Sequence, residues 1–274
     1  MGKTYIIGLT TFKEIVRRPV FWLVAGVTAS LLVLSILIPY FTLGEDIKMV
    51  KDQGLALLVV AGLVIALFAA SVSIADEIDG KTAITLLSKP INRRNFILGK
   101  YLGIMVAIAV LFVILSLVFF GSLWWKAGYE ARENSDNPPT MEQNIEMIEK
   151  MVPGVVLQYF QVTVLCALSV AFSTRFPVHW NITLCIAIYL LGNIAPQMVA
   201  FAQQPGNFQG VEFMARVFGV VFPSLGHFNI GPAISTDTPV SWYPYVAMAL
   251  LYTVLYTSFA LVLAFLLFED RDLA

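Results

Sequence analysis

Apolar residues recur along the chain in long stretches that polar segments separate. A helix that spans a bilayer needs about 20 mostly apolar residues, and six stretches meet this requirement. They are Val20 to Phe41, Leu55 to Ala75, Tyr101 to Trp125, Val155 to Phe172, Ile182 to Phe201 and Tyr243 to Phe268. The pattern predicts an all-α membrane protein with six transmembrane helices in a single domain, residues 1–274. An even number of spans puts both termini on one side of the membrane.

Residues 1–19, which precede the first span, carry a helical pattern of their own. Tyr5, Leu9, Phe12 and Val16 recur at spacings of four, three and four, which indicates an amphipathic helix. We expect an interfacial helix whose basic side chains meet anionic headgroups; a basic flank without further duty is the alternative. Pro19 is expected at the first helical position of span one. No cleavable signal peptide is expected, because no small-residue cleavage site follows the first apolar run.

Composition supports the membrane assignment, and charge gives the orientation. Hydrophobic residues make up 58% of the chain and charged residues 13%, with a mean hydropathy of +0.80. Of the 17 Lys and Arg residues, 11 fall on the side that holds the termini. Because Lys and Arg favour cytoplasmic loops, we expect a multi-pass protein of the inner (plasma) membrane with both termini in the cytoplasm.

Two segments are then expected outside the cytoplasm, residues 126–154 and 202–242. The first contains a predicted helix from Met141 to Lys150 after Thr140, and it either docks an extracytoplasmic partner or caps the spans. The second mixes Gly, Pro and aromatic residues with a short apolar piece, Val211 to Val221. We expect a re-entrant or interfacial helix there, with Trp242 at the headgroup level.

Residues 76–100, which read DEIDGKTAITLLSKPINRRNFILGK, form a charged cytoplasmic loop between spans two and three. The acidic residues at its start favour a helix amino terminus, an apolar patch follows, and Pro90 ends the helix. The pattern predicts a short helix that lies across the membrane face and presents polar side chains outward.

The order of residues in this loop resembles ABC-2 type permeases, the membrane subunits of ATP-binding cassette transporters. That family usually reads E-x-x-x-G-T-L-x-x-L-L-S-x-P-[IV]-S-R-x-x-F-L-L-G-K between spans two and three. Here Glu77 and Gly80 stand three apart rather than four, Lys81 is extra, and Asn92 replaces a small hydroxyl residue. The six spans, the amphipathic first helix, the charged tail and the Pro-containing stretch 221–230 extend the resemblance over essentially the full chain.

The resemblance implies that two permeases, identical or homologous, pair in the lipid membrane above two ATP-binding subunits. Residues 76–88 would be the coupling helix, with Glu77 as its acidic anchor and Thr82 and Leu86 as docking contacts. The predicted coupling residues are Glu77, Gly80, Lys81, Thr82, Leu86, Leu87, Ser88 and Pro90. Arg93 and Arg94 have a simpler explanation as the basic flank of span three.

The chain itself is not expected to be an enzyme. The triplet Gly80-Lys81-Thr82 lacks the Gly that a phosphate-binding loop has five residues before its Gly-Lys pair, because Ala75 stands there. ATP and Mg²⁺ are therefore expected on the partner ATPase, with no cofactor in this chain. His179 and His227 are predicted on opposite sides of the membrane, so no metal site or catalytic residue is expected. No nucleic acid partner is expected either.

Almost no ionisable residue falls inside a predicted span, which argues against a proton- or ion-coupled carrier. A substrate path would then be lined by mild polar and aromatic groups. The candidates are Gln161, Ser169, Asn193, Thr253, Tyr256 and Thr257. Each also has a plain interpretation as interhelical hydrogen bonding or small-residue packing.

Three function classes stay open. The first is the permease subunit of an ATP-binding cassette exporter. The second is a membrane scaffold that couples ATP hydrolysis to the assembly or maturation of an extracytoplasmic protein, with that protein as an accessory partner. The third is an ATP-independent carrier or channel, which the bare spans and the loop at 76–100 disfavour.

Overall fold

The computed structural model describes residues 2–37, 46–79, 92–133, 139–202, 222–230 and 242–269, with four isolated positions between 210 and 219. These ranges contain seven α-helices and one 3-10 turn, and the predicted all-α class is confirmed. The helices are α1 (Lys3–Arg17), α2 (Pro19–Leu37), α3 (Asp46–Asp79), α4 (Arg93–Glu133), α5 (Met141–Ser173), α6 (Val178–Ala202) and α7 (Trp242–Glu269), and the 3-10 turn covers Leu225–Phe228. Six of them, α2 to α7, are long and apolar enough to cross a membrane.

Three helices are longer than a bilayer requires. Helices α3, α4 and α5 have 34, 41 and 33 residues, or roughly 50–60 Å at 1.5 Å per residue, whereas the hydrocarbon core is about 30 Å thick. Helix α5 begins at a capping box in which Thr140 and Gln143 bond each other. It then runs through Pro153, so the helical stretch predicted at Met141 to Lys150 and the fourth span are one helix.

Helix α5 is the centre of the bundle. It packs against α3, α4, α6, α7 and the 3-10 turn, and every residue from Gln161 to Ala171 is buried. By contrast, α2, α6 and α7 present large apolar side chains outward, among them Leu23 on α2, Leu190 on α6 and Leu251 on α7. Outward apolar side chains are what lipid-facing helices require.

Close packing of α3 on α4 depends on two glycines. A Cβ at Gly54 would lie within 1.9 Å of the Phe119 ring, and one at Gly62 would lie 2.6 Å from the Phe112 ring. The two aromatic residues are two helical turns apart on α4, and each lies over one of these glycines of α3. Since lipid supplies little drive for helix association, such small-residue contacts hold spans together.

Helix α1 lies against the first turns of α4 through small residues on both sides. Its buried residues are Gly8, Thr11 and Ile15, and the first two meet Gly99 and Gly103 of α4. The pair Gly99 and Gly103 has the Gly-x-x-x-Gly spacing that lets two helix backbones approach closely.

The predicted apolar face of α1 is not the face that packs on α4. Tyr5 is 70% exposed and Leu9 39% exposed, so their side chains are available to lipid, as the expected interfacial helix requires. Phe12 and Val16 are half-buried. The interfacial position of α1 stays a prediction. Helix α2 begins at Pro19, as expected.

Candidate functional site

A polar cavity lies between α3, α5, α6 and the segment 222–230. Its volume is about 240 Å³. Six polar residues line it, namely Asp52, Gln158, Gln161, Tyr189, Asn193 and Asn229, together with the apolar residues Leu55, Ala56 and Val59. Asp52 and Asn229 are exposed, whereas Gln158 and Gln161 are buried. The cavity therefore leads from an exposed rim into the interior of a single subunit.

A short hydrogen-bond chain orients the amides on one wall of this cavity. Gln161 donates from Nε2 to Asn193 Oδ1 at 3.1 Å, which joins α5 to α6. Asn193 in turn donates from Nδ2 to the backbone oxygen of Tyr189, one turn earlier on α6, at 2.8 Å. These two hydrogen bonds determine the orientation of both side-chain amides.

Gln158 differs from these amides because its carbonyl oxygen is unsatisfied. The residue is 3% exposed, and Oε1 has no hydrogen-bond partner. Most buried polar atoms have such a partner, and leaving one without it costs about 1–3 kcal/mol. The unsatisfied oxygen is itself buried, so Gln158 lines the cavity without exposing this acceptor to it.

The segment 222–230 closes one side of the cavity and is held by close backbone contacts with α6. A Cβ at Gly192 would lie 2.6 Å from the Pro223 oxygen, and one at Gly226 would lie 3.1 Å from the Asn193 oxygen. Ser224 donates its backbone N–H to the hydroxyl of Tyr252 on α7 at 3.0 Å. The Pro-containing stretch noted in the sequence thus bridges α6 and α7 and carries Asn229 to the cavity.

Ser169 belongs to a second buried cluster, apart from the cavity. Asn181 of α6 donates from Nδ2 to Ser71 Oγ of α3 at 2.8 Å and to Ser169 Oγ of α5 at 3.0 Å. Cys185 donates its thiol to Asn181 Oδ1. Ser169, Ser71 and Asn181 are all fully buried. This cluster ties three helices together, which is the interhelical bonding offered as the plain interpretation of Ser169.

The three predicted path residues on α7 form a further group. Thr253 is buried and donates to the Ala249 oxygen of its own helix at 2.8 Å. Thr257 is buried as well, and Tyr256 is half-buried in an aromatic row with Tyr252 and Phe259. Helix α7 packs on α5 and α4, whereas the cavity lies between α5, α3 and α6.

Of the predicted path residues, the structure therefore brings only Gln161 and Asn193 together at the cavity. Sequence reasoning missed four polar residues of its lining: Asp52, Gln158, Tyr189 and Asn229. A signal for one of them was present, since Gln158 stands three residues before Gln161 and shares its helix face. A role of the six candidates in a substrate path stays a prediction.

Of the predicted coupling residues, only Glu77 lies within the part of the chain that the structure describes. Helix α3 ends at Asp79 and α4 begins at Arg93, and Glu77 lies in the last turn of α3. Gly80, Lys81, Thr82, Leu86, Leu87, Ser88 and Pro90 lie outside the described residues. Their docking role stays a prediction.

The helices that lead to this segment are tied to their neighbours. Lys100 of α4 is 3% exposed and donates from Nζ to Ser73 Oγ of α3 at 2.8 Å. One turn earlier, Phe96 stacks on Phe268 of α7 with ring centroids 6.1 Å apart. The amino-terminal end of α4 is thus joined to α3, to α7 and, through its glycines, to α1.

Comparison with known families gives one match that spans nearly the whole chain. A model of the ABC-2 family transporter proteins matches residues 11–273. No curated protein matches the chain. Among the residues that the structure describes, no group of three or more His, Cys, Asp or Glu side chains could hold a metal ion.

Proposed function

Because the chain belongs to the ABC-2 family of transporter proteins, and so is the membrane subunit of an ATP-binding cassette transporter, we propose that it works as an exporter. Two copies, or this chain and a homologous permease, pair in the membrane, and two ATP-binding subunits dock on their cytoplasmic face. The ATPase subunits bind ATP and Mg²⁺ and supply the energy. The family match over residues 11–273 is the observation that carries the proposal.

The packing at the root of the proposed coupling helix supports this arrangement. Residues 80–92 connect α3 to α4, so a force applied there acts on both helices at once. The bond between Lys100 and Ser73 links the two helices directly, and the stack of Phe96 on Phe268 continues the link to α7. A shift of the docked ATPase can thus bias the arrangement of several spans together, as an ATP-driven switch requires.

The length of α3 also supports a coupling helix outside the bilayer. The apolar part of α3, Ile47–Ile74, already covers a bilayer, and α3 continues to Asp79. The loop 76–100 thus begins within the last turn of α3, past the apolar stretch, and we propose that a soluble subunit reaches the chain there. This position fits the charge bias that puts the same loop in the cytoplasm.

The test is purification of the tagged permease from native membranes in mild detergent, followed by identification of bound proteins and an ATPase assay. We expect an ATP-binding subunit to co-purify with the parent chain and to be lost from Glu77→Ala and Thr82→Arg. Glu142→Ala, an exposed carboxylate on the first turn of α5, is the matched control and should keep the subunit. Recovery of the permease alone, with no nucleotide dependence, would contradict the proposal and favour an ATP-independent carrier.

A second candidate is an ATP-driven scaffold that assembles an extracytoplasmic protein. It is favoured by the helical extensions of α4 to Glu133 and of α5 from Met141, which border a groove of about 300 Å³ lined partly by Trp125 and Tyr129. In this case Trp125→Ser with Tyr129→Ser should release a bound extracytoplasmic protein and leave the ATPase attached. Unchanged recovery of every bound protein would remove this candidate.

A further inference from the structure

A groove of about 300 Å³ lies at the carboxyl-terminal end of α4, against the amino-terminal end of α5. Its walls include three aromatic residues and two polar ones, namely Trp124, Trp125, Tyr129, Arg132 and Asn144. Arg132 is the one charged residue among the described residues that line it. The groove therefore combines a cation with an aromatic surface, which suits an anionic group attached to an apolar body.

Asn144 distinguishes this groove from an ordinary aromatic belt. It is 6% exposed, yet its side-chain amide forms no hydrogen bond within the described part of the chain. The unpartnered side-chain atoms that are sealed from the surface in that part belong to Glu130, Gln158 and Thr257, so the Asn144 amide still reaches the groove. Buried polar groups normally have a hydrogen-bond partner, and a ligand in the groove can supply this one.

Arg132 is available to the same ligand. Its side chain is exposed and forms no ion pair with a described residue. The Cα–Cβ bonds of a helix tilt toward its amino terminus, so Arg132 lines the same groove as Trp124 although the two are eight residues apart. A guanidinium group binds phosphate through two parallel hydrogen bonds, and an N–H of Asn144 can add a third.

An apolar stripe on α4, formed by Val113, Leu117, Phe120 and Trp124, leads from the membrane interior to this groove. The four residues recur at spacings of four, three and four, which places them on one helix face. Phe120 is half-buried and the other three are exposed. The stripe covers roughly 16 Å at 1.5 Å per residue, and half of a hydrocarbon core of about 30 Å is about 15 Å. The stripe is therefore as long as one leaflet is thick.

The same helix face continues beyond the stripe with Gly128 and Arg132, at two further spacings of four. Gly128 leaves open space, because no atom lies within 4 Å of the position that a Cβ would take. From Trp124 to Arg132 the face thus changes from apolar to open to cationic. A phospholipid has the same order of acyl chain, glycerol and phosphate.

We propose that this groove binds the headgroup of a phospholipid, whose phosphate is held by Arg132 and the Asn144 amide while one acyl chain lies along the apolar stripe. A volume of about 300 Å³ is at the lower end of the usual range for ligand sites, so the groove takes the headgroup and leaves the acyl chains in the bilayer. Trp124 and Trp125 lie where the apolar stretch of α4 ends, which is the depth at which headgroups meet aromatic side chains. The site rests on no part of the exporter proposal, but it competes for its groove with the extracytoplasmic protein of the second candidate.

The test is native mass spectrometry of the full chain released from neutral maltoside micelles, with one compound added at a time. Phosphatidylglycerol should be retained saturably, at one site per chain. Diacylglycerol with the same acyl chains lacks the phosphate, and glycerol 3-phosphate lacks the acyl chains. Each should bind at least about tenfold more weakly, because each loses one of the two sets of contacts.

Three variants locate the retained lipid. Arg132→Gln removes the cation and should weaken retention by roughly 10–100-fold, the effect of losing a hydrogen bond to a charged group. Asn144→Leu removes the amide at similar volume and should weaken retention by roughly 2–10-fold; the exposed Arg132 variant serves if this one does not fold. Arg175→Gln makes the same change as the first at an exposed Arg just beyond the other end of α5 and should retain the lipid like the parent.

The contrary outcomes are distinct. Equal retention of diacylglycerol, or of phosphatidylglycerol by Arg132→Gln, would overturn the lipid site. Equal binding of glycerol 3-phosphate would overturn it in favour of a free phosphate. A co-purifying extracytoplasmic protein that is lost from Arg132→Gln, with lipid retention unchanged, would assign the groove to that protein instead. None of these results depends on an ATPase subunit, so failure of the exporter proposal would leave them untouched.

Discussion

A single methyl group at Gly103 should lift α1 off α4. In Gly103→Ala the new Cβ would lie 2.5 Å from the Gly8 oxygen and 2.7 Å from Thr11 Cβ, whereas ordinary contact begins near 3.4 Å. The backbone of α1 must therefore move by about 0.9 Å, and a gap of that size loses roughly a quarter to a half of the dispersion energy of the contacts it opens.

The energetic result follows from two opposing effects. Overpacking of this kind costs about 1–3 kcal/mol, and replacing a helical Gly by Ala returns roughly 0.5–1 kcal/mol. We expect a net weakening of the α1 contact by about 1–2 kcal/mol. The matched control is Gly121→Ala in the same helix, where no atom lies within 4 Å of the added Cβ. That substitution should stabilise the helix slightly.

The assay is maleimide labelling of a cysteine placed at Thr11, which is 1% exposed, with Cys166 and Cys185 replaced by Ala. Labelling requires α1 to open, so a weakening of about 1–2 kcal/mol should accelerate it by roughly 5–30-fold. If Gly103→Ala labels at the parent rate, or if Gly121→Ala accelerates labelling as much, the glycine contact does not hold α1.

Three further substitutions test the packing that positions the site. Gly54→Ala drives a methyl group into the Phe119 ring, 1.9 Å away, and should cost about 1–3 kcal/mol in thermal unfolding; an unchanged midpoint would contradict the close α3–α4 contact. Asn181→Leu removes the donor that joins α3, α5 and α6 and should lower the free energy of unfolding by about 1–2 kcal/mol. Thermal unfolding measures this change as well, and an unchanged midpoint would show that the cluster adds no stability. Thr140→Ala removes the capping box of α5 and should destabilise the first turn of the helix by about 1 kcal/mol. Amide hydrogen exchange at Gln143 should become faster, and unaltered exchange would argue against the cap.

The spans were predictable from sequence because a bilayer admits only long apolar helices. Helix ends were harder to predict. The stretch after Trp125 turns polar, so it was assigned to an outer segment, yet α4 continues to Glu133. Likewise, Pro153 separates an acidic stretch from an apolar one, and α5 passes through it. Hydropathy reports the environment of a residue, and a helix that leaves the membrane keeps its geometry while its composition changes.

The packing face of α1 shows a second limit. An apolar pattern was visible at Tyr5, Leu9, Phe12 and Val16, and it predicted a helix correctly. The buried face, however, is built on Gly8 and Thr11, since helices in lipid associate through small residues that let backbones approach. In a membrane protein an apolar pattern therefore marks the lipid-facing side as readily as the protein-facing side.

The same reasoning explains why the candidate site was only partly found. Some polar residues of the spans do line the cavity, but the sequence does not show which of them another protein group satisfies. Ser169 and Asn193 look alike in sequence; the first bonds Asn181 in a packed cluster and the second faces a cavity. Gln158 is distinguished only by an oxygen that no protein group satisfies. A missing hydrogen-bond partner can be seen only in the folded structure, because the sequence does not show which groups pack around a side chain.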